Sequence, residues 1–320
     1  MHFLRGIYRF DYMGHITLWF TISAIIIGAG LISLFVRGGG NPLRGLNYGL
    51  EFKEGTRIAV AFKETPGVAD VRATVADAGY QNAQIQEVSA VGGTSQPGFQ
   101  IQVETLTPAQ QADLHDALDE AFTIATDGGS EVYASQTVGP TFGGEVVTSS
   151  YQAALLALIL ILLYVAVRFH WKFGIGAVTA EIHDLLVVIG VYSITGREVT
   201  TATIAAVLTI LGYSLYDTVI IYDRIRENAT KLGRMPYAAM VTHSIWETLT
   251  RSINTTLTTL LPVITLLLFG GTTLTDFAFA LLVGILSGAY SSIFVAAPVV
   301  TLLKQREPQY RRLAARAGQT

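Results

Sequence analysis

The chain has no cysteine among its 320 residues. Disulfides are therefore excluded, and the redox compartment leaves no mark on the sequence. Charge is scarce as well. Only 14% of the residues are Asp, Glu, Lys or Arg, against 51% hydrophobic, and the mean hydropathy is +0.45. That balance is too apolar for a soluble domain of this size. The few basic residues lie near the ends of apolar runs, which argues against a nucleic-acid surface. No HExxH, no Walker sequence and no nucleophile motif occurs, so hydrolytic and nucleotide chemistry have no support.

What is present is a set of six long apolar runs, at 16–36, 151–168, 174–194, 201–222, 249–269 and 276–303. Each approaches the ~20 helical residues that cross ~30 Å of hydrocarbon, and the last is long enough to tilt. The first is not a secretory signal: its run is too long, and Arg37 and Gly38-Gly39-Gly40 follow it instead of a small-residue cleavage site. Lys and Arg gather on one side of these spans, from Arg5, Arg9, Arg168 and Lys172 through Arg224, Arg226, Lys231 and Arg234 to Lys304, Arg306, Arg311, Arg312 and Arg316. The opposite short loops hold only Arg197. The positive-inside rule makes the first side cytoplasmic. The expected order is a cytoplasmic tail over 1–15, a first span over 16–36, an external domain over 37–150, five spans within 151–303 and a cytoplasmic tail over 304–320. A cysteine at Ser95 would then react from outside.

The external region holds 14 acidic and 6 basic residues; its charge reads as a solvated face. Its patterns alternate between two periods. RIAVAF (57–62), AQIQEVSAV (83–91), FQIQVET (99–105) and SEVYASQTV (130–138) predict strands. VADVRATVADAGY (68–80) and PAQQADLHDALDEAF (108–122) predict amphipathic helices, the second entered through Thr107 and Pro108. Gly92, Gly93, Pro97 and Gly98 punctuate the central hairpin. The order strand–helix–strand–strand–helix–strand predicts a ferredoxin-like α+β domain. The expected fold class is thus an α-helical membrane protein with six transmembrane helices and an extracytoplasmic ferredoxin-like domain between helices one and two.

The chemistry concentrates in the apolar spans. Asp217 lies inside the fourth, where a charge costs on the order of 3 kcal/mol or more. An acid there implies a partner or a water-filled path, and protons are its commonest cargo. Thr209, Tyr213 and Asp217 recur at helical spacing, as do Arg251, Asn254, Thr255, Thr258 and Thr259 on the fifth span. Asp217 sits roughly 9 Å inside the boundary marked by Asp223, at the 1.5 Å rise per helical residue, and Arg251 starts near the same depth. The two can pair. Either the pair is a static one that fixes register, or protonation of Asp217 breaks it and releases the helices. The third span carries Glu181, His183 and Asp184. A metal site is not expected there, since no second histidine stands at ligand spacing. His183 and Asp184 suit a proton relay, although a hydrogen bond to a neighbouring helix is the plainer role for His183. Gly284 and Gly288 form a small-xxx-small packing face on the sixth span.

These segments, taken in series, resemble the SecF family of protein-export membrane subunits, in the resistance-nodulation-division superfamily. GLNYGLEFKEGT (45–56), VGPTFGGEVV (138–147), AEIHDLLVVIGVYSITGRE (180–198), ILGYSLYDTVIIYDRIREN (210–228), TRSINTTLTTLLPV (250–263), LFGG (268–271) and VGILSGAYSSIFVA (283–296) follow in the family's order. The resemblance implies a partner, SecD, beside the SecYEG channel. It implies use of the proton motive force to assist preprotein translocation after SecA has driven insertion, with no cofactor and no enzymatic reaction. It also implies that Asp217 and Arg251 take part in proton transport and that SecD supplies a further acid. Glu51, Lys53, Glu54 and Gly55 depart from the family's first motif. Tyr216 stands where asparagine is usual, and Glu181 where an apolar residue is usual. Two other readings fit the class of protein: a proton-coupled exporter of small molecules or lipids, for which one half and one domain are too few, and a passive assembly factor of the translocon.

Overall fold

The computed structural model describes residues 10–52, 55–88, 91, 96–231 and 235–317, without the side chains of 140–143, 272, 273, 316 and 317. Arg5, Arg9, Lys53, Glu54, Gly92, Gly93, Ser95 and Arg234 lie outside the described residues, as does the side chain of Arg316. The chain forms two compact units, Met1–Asn47 with Tyr151–Thr320, and Tyr48–Ser150.

Among the described residues, six helices are long and apolar enough to cross a membrane. They begin as Ile16–Arg37, Pro140–Arg168, Trp171–Thr195, Thr201–Lys231, Tyr237–Phe269 and Gly271–Ser291. The last continues through a π-helical stretch, Ser292–Ala296, into Ala297–Gln305. The apolar runs locate all six, but three helices extend well beyond them. The second starts at Pro140, the fourth ends at Lys231 and the fifth starts at Tyr237. Ion pairs carry the fourth and fifth past their apolar lengths. Arg224 donates from Nε and Nη2 to the two oxygens of Glu247, both at 2.7 Å. Asn228 Nδ2 adds a bond to Glu247 at 2.7 Å, and Asp223 pairs with Arg168 and Arg226. A forked guanidinium–carboxylate pair is among the stronger polar contacts a helix pair can make. The region beyond 304, expected as a tail, holds a further helix, Pro308–Ala317. Lys172 and Lys304 reach Glu307 at its entrance at 2.8 and 3.0 Å.

The spans are not equivalent. The second is nearly all exposed, with Leu155, Leu156, Ile159, Leu160, Leu163 and Val167 turned outward. A helix apolar on every side suits a lipid neighbourhood. The third is more than half buried and carries Glu181, His183 and Asp184 inward. It crosses the first where a Cβ on Gly30 would stand 2.6 Å from Gly190 Cα. On the sixth helix, a Cβ on Gly284 would overlap the Ile210 side chain, and one on Gly288 would lie 2.9 Å from Ser214 Cβ. These absent side chains let backbones approach and bring the serines of the fourth and sixth helices against the third.

In the second unit, strands β1 (Gly55–Val60), β2 (Gln84–Val88), β3 (Gly98–Val103) and β4 (Tyr133–Val138) form one antiparallel sheet in the order β2-β3-β1-β4. Ile58 stands opposite Ile101, and Val60 opposite Phe99. These residues face Val71 and Val75 of helix α1 (Val68–Asp77), and Leu114 and Leu118 of helix α2 (Pro108–Phe122). Period-2 alternation in the strands and helical spacing in the helices thus close one core. Helix α2 starts where Thr107 and Gln110 cap each other. Strand ends shift by one or two residues, the first strand running Gly55–Val60 against 57–62 and the third Gly98–Val103 against 99–105, and two other boundaries differ in kind. Helix α1 stops at Asp77, before Gly79 at φ +104°. Residues 130–138 do not form one strand: Ser130–Glu131 turn back on Thr126–Asp127 across Gly128 and Gly129, both at positive φ, before β4 begins.

Candidate functional site

Asp217 is buried, at 3% exposure, in the fourth span. Its Oδ1 accepts from Ser252 Oγ at 3.3 Å, and its Oδ2 has no partner among the described residues. Arg251 does not pair with it. No ion pair among the described residues joins the two; Arg251 is exposed, and its Nη2 donates to the Tyr216 hydroxyl at 2.9 Å. Consecutive helical residues point about 100° apart at 3.6 residues per turn, and that offset decides the pairing. Tyr216 and Arg251 meet on the outer face, Asp217 and Ser252 on the inner one. Depth along the helix is the same for both pairs, so spacing alone could not separate them. Tyr213 donates to Thr259 Oγ1 at 3.2 Å, a second tie between the two helices, while the Thr209 hydroxyl turns back to the Ala205 carbonyl.

Asp184 has a different environment. It is fully buried, and three hydroxyls donate to it: Ser287 to Oδ1 at 2.6 Å, and Ser214 and Ser291 to Oδ2 at 2.7 Å each. His183 Nδ1 lies 3.1 Å from Oδ1. Ser287 and Ser291 share a face of the sixth helix at i, i+4, and Ser214 comes from the fourth. The acid therefore ties three helices together. His183 also bonds to a neighbouring helix, with Nε2 3.1 Å from Ser23 Oγ of the first span.

The direction of this chain follows from counting protons. Tyr290 has one hydroxyl proton and donates it to the Trp19 carbonyl at 2.8 Å. Ser23, 3.2 Å from Tyr290 Oη, must then donate to it, and His183 Nε2 must donate to Ser23. On the other side of the ring, His183 Nδ1 faces Asp184 Oδ1. The wire runs from Asp184 through the imidazole to the first helix. Sequence reasoning passed over Ser23, Ser214, Ser252, Ser287, Ser291 and Tyr290. Their signal was faint: single hydroxyls in apolar spans most often bond their own backbone, and only the i, i+4 spacing of Ser287 and Ser291 marked a face.

Glu181, one turn before Asp184, is 1% exposed, and neither of its oxygens has a partner among the described residues. No group of three or more His, Cys, Asp or Glu able to hold a metal occurs among the described residues. Asp184 faces donors, whereas a bound cation would need lone pairs turned toward it. Arg168, Arg224, Arg226 and Lys231 lie with their acids at one end of the spans; Arg197 and Asp276, 3.0 Å apart, lie at the other.

Known proteins resemble this chain in sequence and fold. The family model described as protein export membrane protein SecD/SecF, C-terminal, matches residues 119–306. The chain is 37% identical over 300 residues to the protein translocase subunit SecDF of Thermus thermophilus, covering 93% of this chain and 39% of that one. It is 35% identical to SecF of Streptomyces coelicolor, covering 98% of this chain and 81% of the relative, and 36% identical to SecF of Thermodesulfovibrio yellowstonii, covering 94% and 96%. The crystal structure of the Thermus SecDF, described as a translocon-associated membrane protein, superposes with a TM-score of 0.80 at 35% identity over 93% of this chain and 39% of that one. A SecDF structure in a super-membrane-facing form superposes at 0.64, over 98% and 40%. The chain spans about two-fifths of these SecDF proteins and most of the SecF relatives, and it belongs to the SecD/SecF family of protein-export membrane proteins, on its SecF side.

Proposed function

We propose that this chain is the SecF subunit of the Sec export machinery, and that it works with SecD to let the proton motive force assist preprotein movement through SecYEG after SecA-driven insertion. The observation that carries this reading is Asp217: a buried carboxyl in a membrane helix with a single hydroxyl donor on one oxygen and none on the other. A group so thinly held can change protonation without dismantling its surroundings, and each proton crossing 100 mV supplies about 2.3 kcal/mol. Arg251, held by Tyr216 one residue away, is the cation that can approach when Tyr216 lets go. The His183–Asp184 wire is a candidate relay.

SecD association has its own support. Tyr216, Arg251, Asn254 and Thr258 form an exposed polar row on two membrane helices, and such a row does not face lipid cheaply. A partner that covers it fits the SecDF relatives, which are longer than this chain. We further propose that Tyr48–Ser150 is a ferredoxin-like domain on the extracytoplasmic side of a cytoplasmic membrane, with both termini inside. The sheet order β2-β3-β1-β4 and the clustering of Arg168, Arg224, Arg226 and Lys231 at one end of the spans support this. A cysteine at exposed Asn82 should react with an impermeant maleimide in intact spheroplasts; labelling only after lysis would reject the orientation.

The test of the function is gradient-dependent export by membrane vesicles lacking the endogenous subunit. Vesicles carrying this chain with SecD should export a preprotein faster when a proton gradient is imposed, and the gain should vanish with an uncoupler. An equal gain with and without the gradient would favour a passive assembly role.

A further inference from the structure

Glu181 is the one acid of the third span that the wire to His183 does not use. Its place follows from two contacts that bracket it. Toward one end, Asp184 meets Ser214. Toward the other, a Cβ on Gly176 would overlap the Tyr222 hydroxyl. The third and fourth helices run antiparallel, so Glu181 falls at the depth of Asp217 and Thr218, between the levels of Ser214 and Tyr222. There the hydroxyls are already engaged. Thr218 Oγ1 and Ser292 Oγ bond each other at 2.8 Å, Ser292 also approaches the Ser214 carbonyl at 3.4 Å, and Tyr222 leans toward the Ala296 carbonyl at 3.5 Å. The titratable groups facing Glu181 are Asp184 of its own helix and the Tyr222 phenol of the fourth. The described parts of the first and sixth helices and the π-helical stretch Ser292–Ala296 offer hydroxyls and apolar side chains there, not cations.

An ionised carboxylate in this position would be buried, unpartnered and next to a second acid. Each of those conditions disfavours the charged form, and together they exclude it, because an uncompensated buried charge costs several kcal/mol. A monovalent cation does not resolve the conflict, since the oxygens around Asp184 are turned to donate into it. We infer that Glu181 is a proton-binding site of the bundle, distinct from Asp217, and that it carries its proton in the packed arrangement seen here. The flanking π-helical stretch supplies the route for exchange. Its Ala296 carbonyl lies beside Gly176 and the Tyr222 hydroxyl, and such stretches recur at functional sites. Loosening it would admit water to Glu181 and release the proton. The site deepens the proton-coupled reading above, but its protonation state is measurable without export.

The experiment is infrared difference spectroscopy of the chain with SecD in lipid vesicles, stepped between acid and alkaline pH. A protonated, buried carboxylic acid gives a carbonyl stretch that shifts in heavy water. We expect that band to disappear in Glu181→Gln and to persist in Asp217→Asn. A band unchanged in Glu181→Gln overturns the assignment. So does a band that sodium removes at constant pH, which would mean a cation site. Glu181→Met guards against misfolding. An uncharged carboxyl without polar contacts should yield to an apolar side chain of similar length at normal abundance, and a loss of abundance with Met but not with Gln would reveal a hidden polar partner and overturn the assignment. If the band behaves as expected while export shows no gradient dependence, the proton site stands and the functional reading falls.

Discussion

Asp184 and Asp217 are both buried aspartates in membrane helices, about as costly to place as any residue, yet their surroundings are opposite. Asp184 is held by three serine hydroxyls and an imidazole from three helices. Asp217 is held by one hydroxyl at 3.3 Å and leaves an oxygen bare. A fully satisfied polar network fixes one arrangement of the helices around it; a half-satisfied one leaves an alternative within reach. The first acid keeps the third, fourth and sixth helices in register. The second can respond when its protonation changes. The lesson is that burial alone does not identify the working acid; the count and origin of its donors do.

The largest effect should come from breaking the first site. Asp184→Leu strands three buried hydroxyls and the imidazole, and should destabilise the chain by roughly 3–5 kcal/mol, the cost of removing one partner of a buried polar set. Unfolding in detergent and abundance in membranes both report it. A stability within about 1 kcal/mol of the parent would mean that the network contributes little. Gly288→Leu attacks the same register from the backbone side. Its Cβ would stand 2.9 Å from Ser214 Cβ, so the sixth helix must move away and the Ser214 bond to Asp184 must lengthen. About 1–3 kcal/mol is expected for such overpacking, again read by unfolding, with Gly288→Ala affected less.

Tyr216→Phe sharpens the second half of the comparison. It removes the hydroxyl that holds Arg251 and nothing that touches Asp217. Stability should change by no more than ~1 kcal/mol, the net worth of a hydrogen bond, while the pH dependence of gradient-driven export shifts because the guanidinium is free to approach the acid. An unchanged pH profile would place Arg251 outside the proton response.

The smallest effect lies in the Tyr48–Ser150 unit. The bonds from His115 to Asp116 and Glu131, at 3.1 and 2.9 Å, raise its pKa above the usual 6.5. The raised value means that the folded form holds the proton more tightly, so the contribution to stability is complete below pH 6.5 and is lost as pH rises through the folded value. His115 is partly exposed, so the gain is small. His115→Gln should flatten the pH dependence of this unit's unfolding from pH 6.5 upward, and an unaltered slope there would assign that dependence elsewhere.

Much of this was legible in the sequence. Thr107 and Pro108 started a helix where they were expected to, since a capping hydroxyl and a proline at the first turn act locally. All six spans were visible as apolar runs. The ends of the fourth and fifth were not, because Arg224, Glu247 and Asn228 stop an apolar run without stopping a helix. The break near Val132 was hidden because a strand pattern can continue in sequence while its hydrogen bonds change partner. At the site, Asp217, Asp184 and His183 announced themselves as polar residues in apolar company. Their partners did not. Ser252 rather than Arg251 reaches Asp217 because of one residue's rotation, and the serine cluster on Asp184 depends on which helices cross, set by close approaches such as Gly288 against Ser214.

The contrast between a fixed and a responsive acid is tested most directly by Asp217→Asn, with abundance, recovery with SecD and gradient-driven export measured in the same vesicles. The amide keeps the shape of the protonated acid and can still accept from Ser252. The account predicts normal abundance, normal assembly and intact ATP-driven insertion, with the gradient-dependent part of export lost. Normal gradient-dependent export from Asp217→Asn at normal abundance would contradict it.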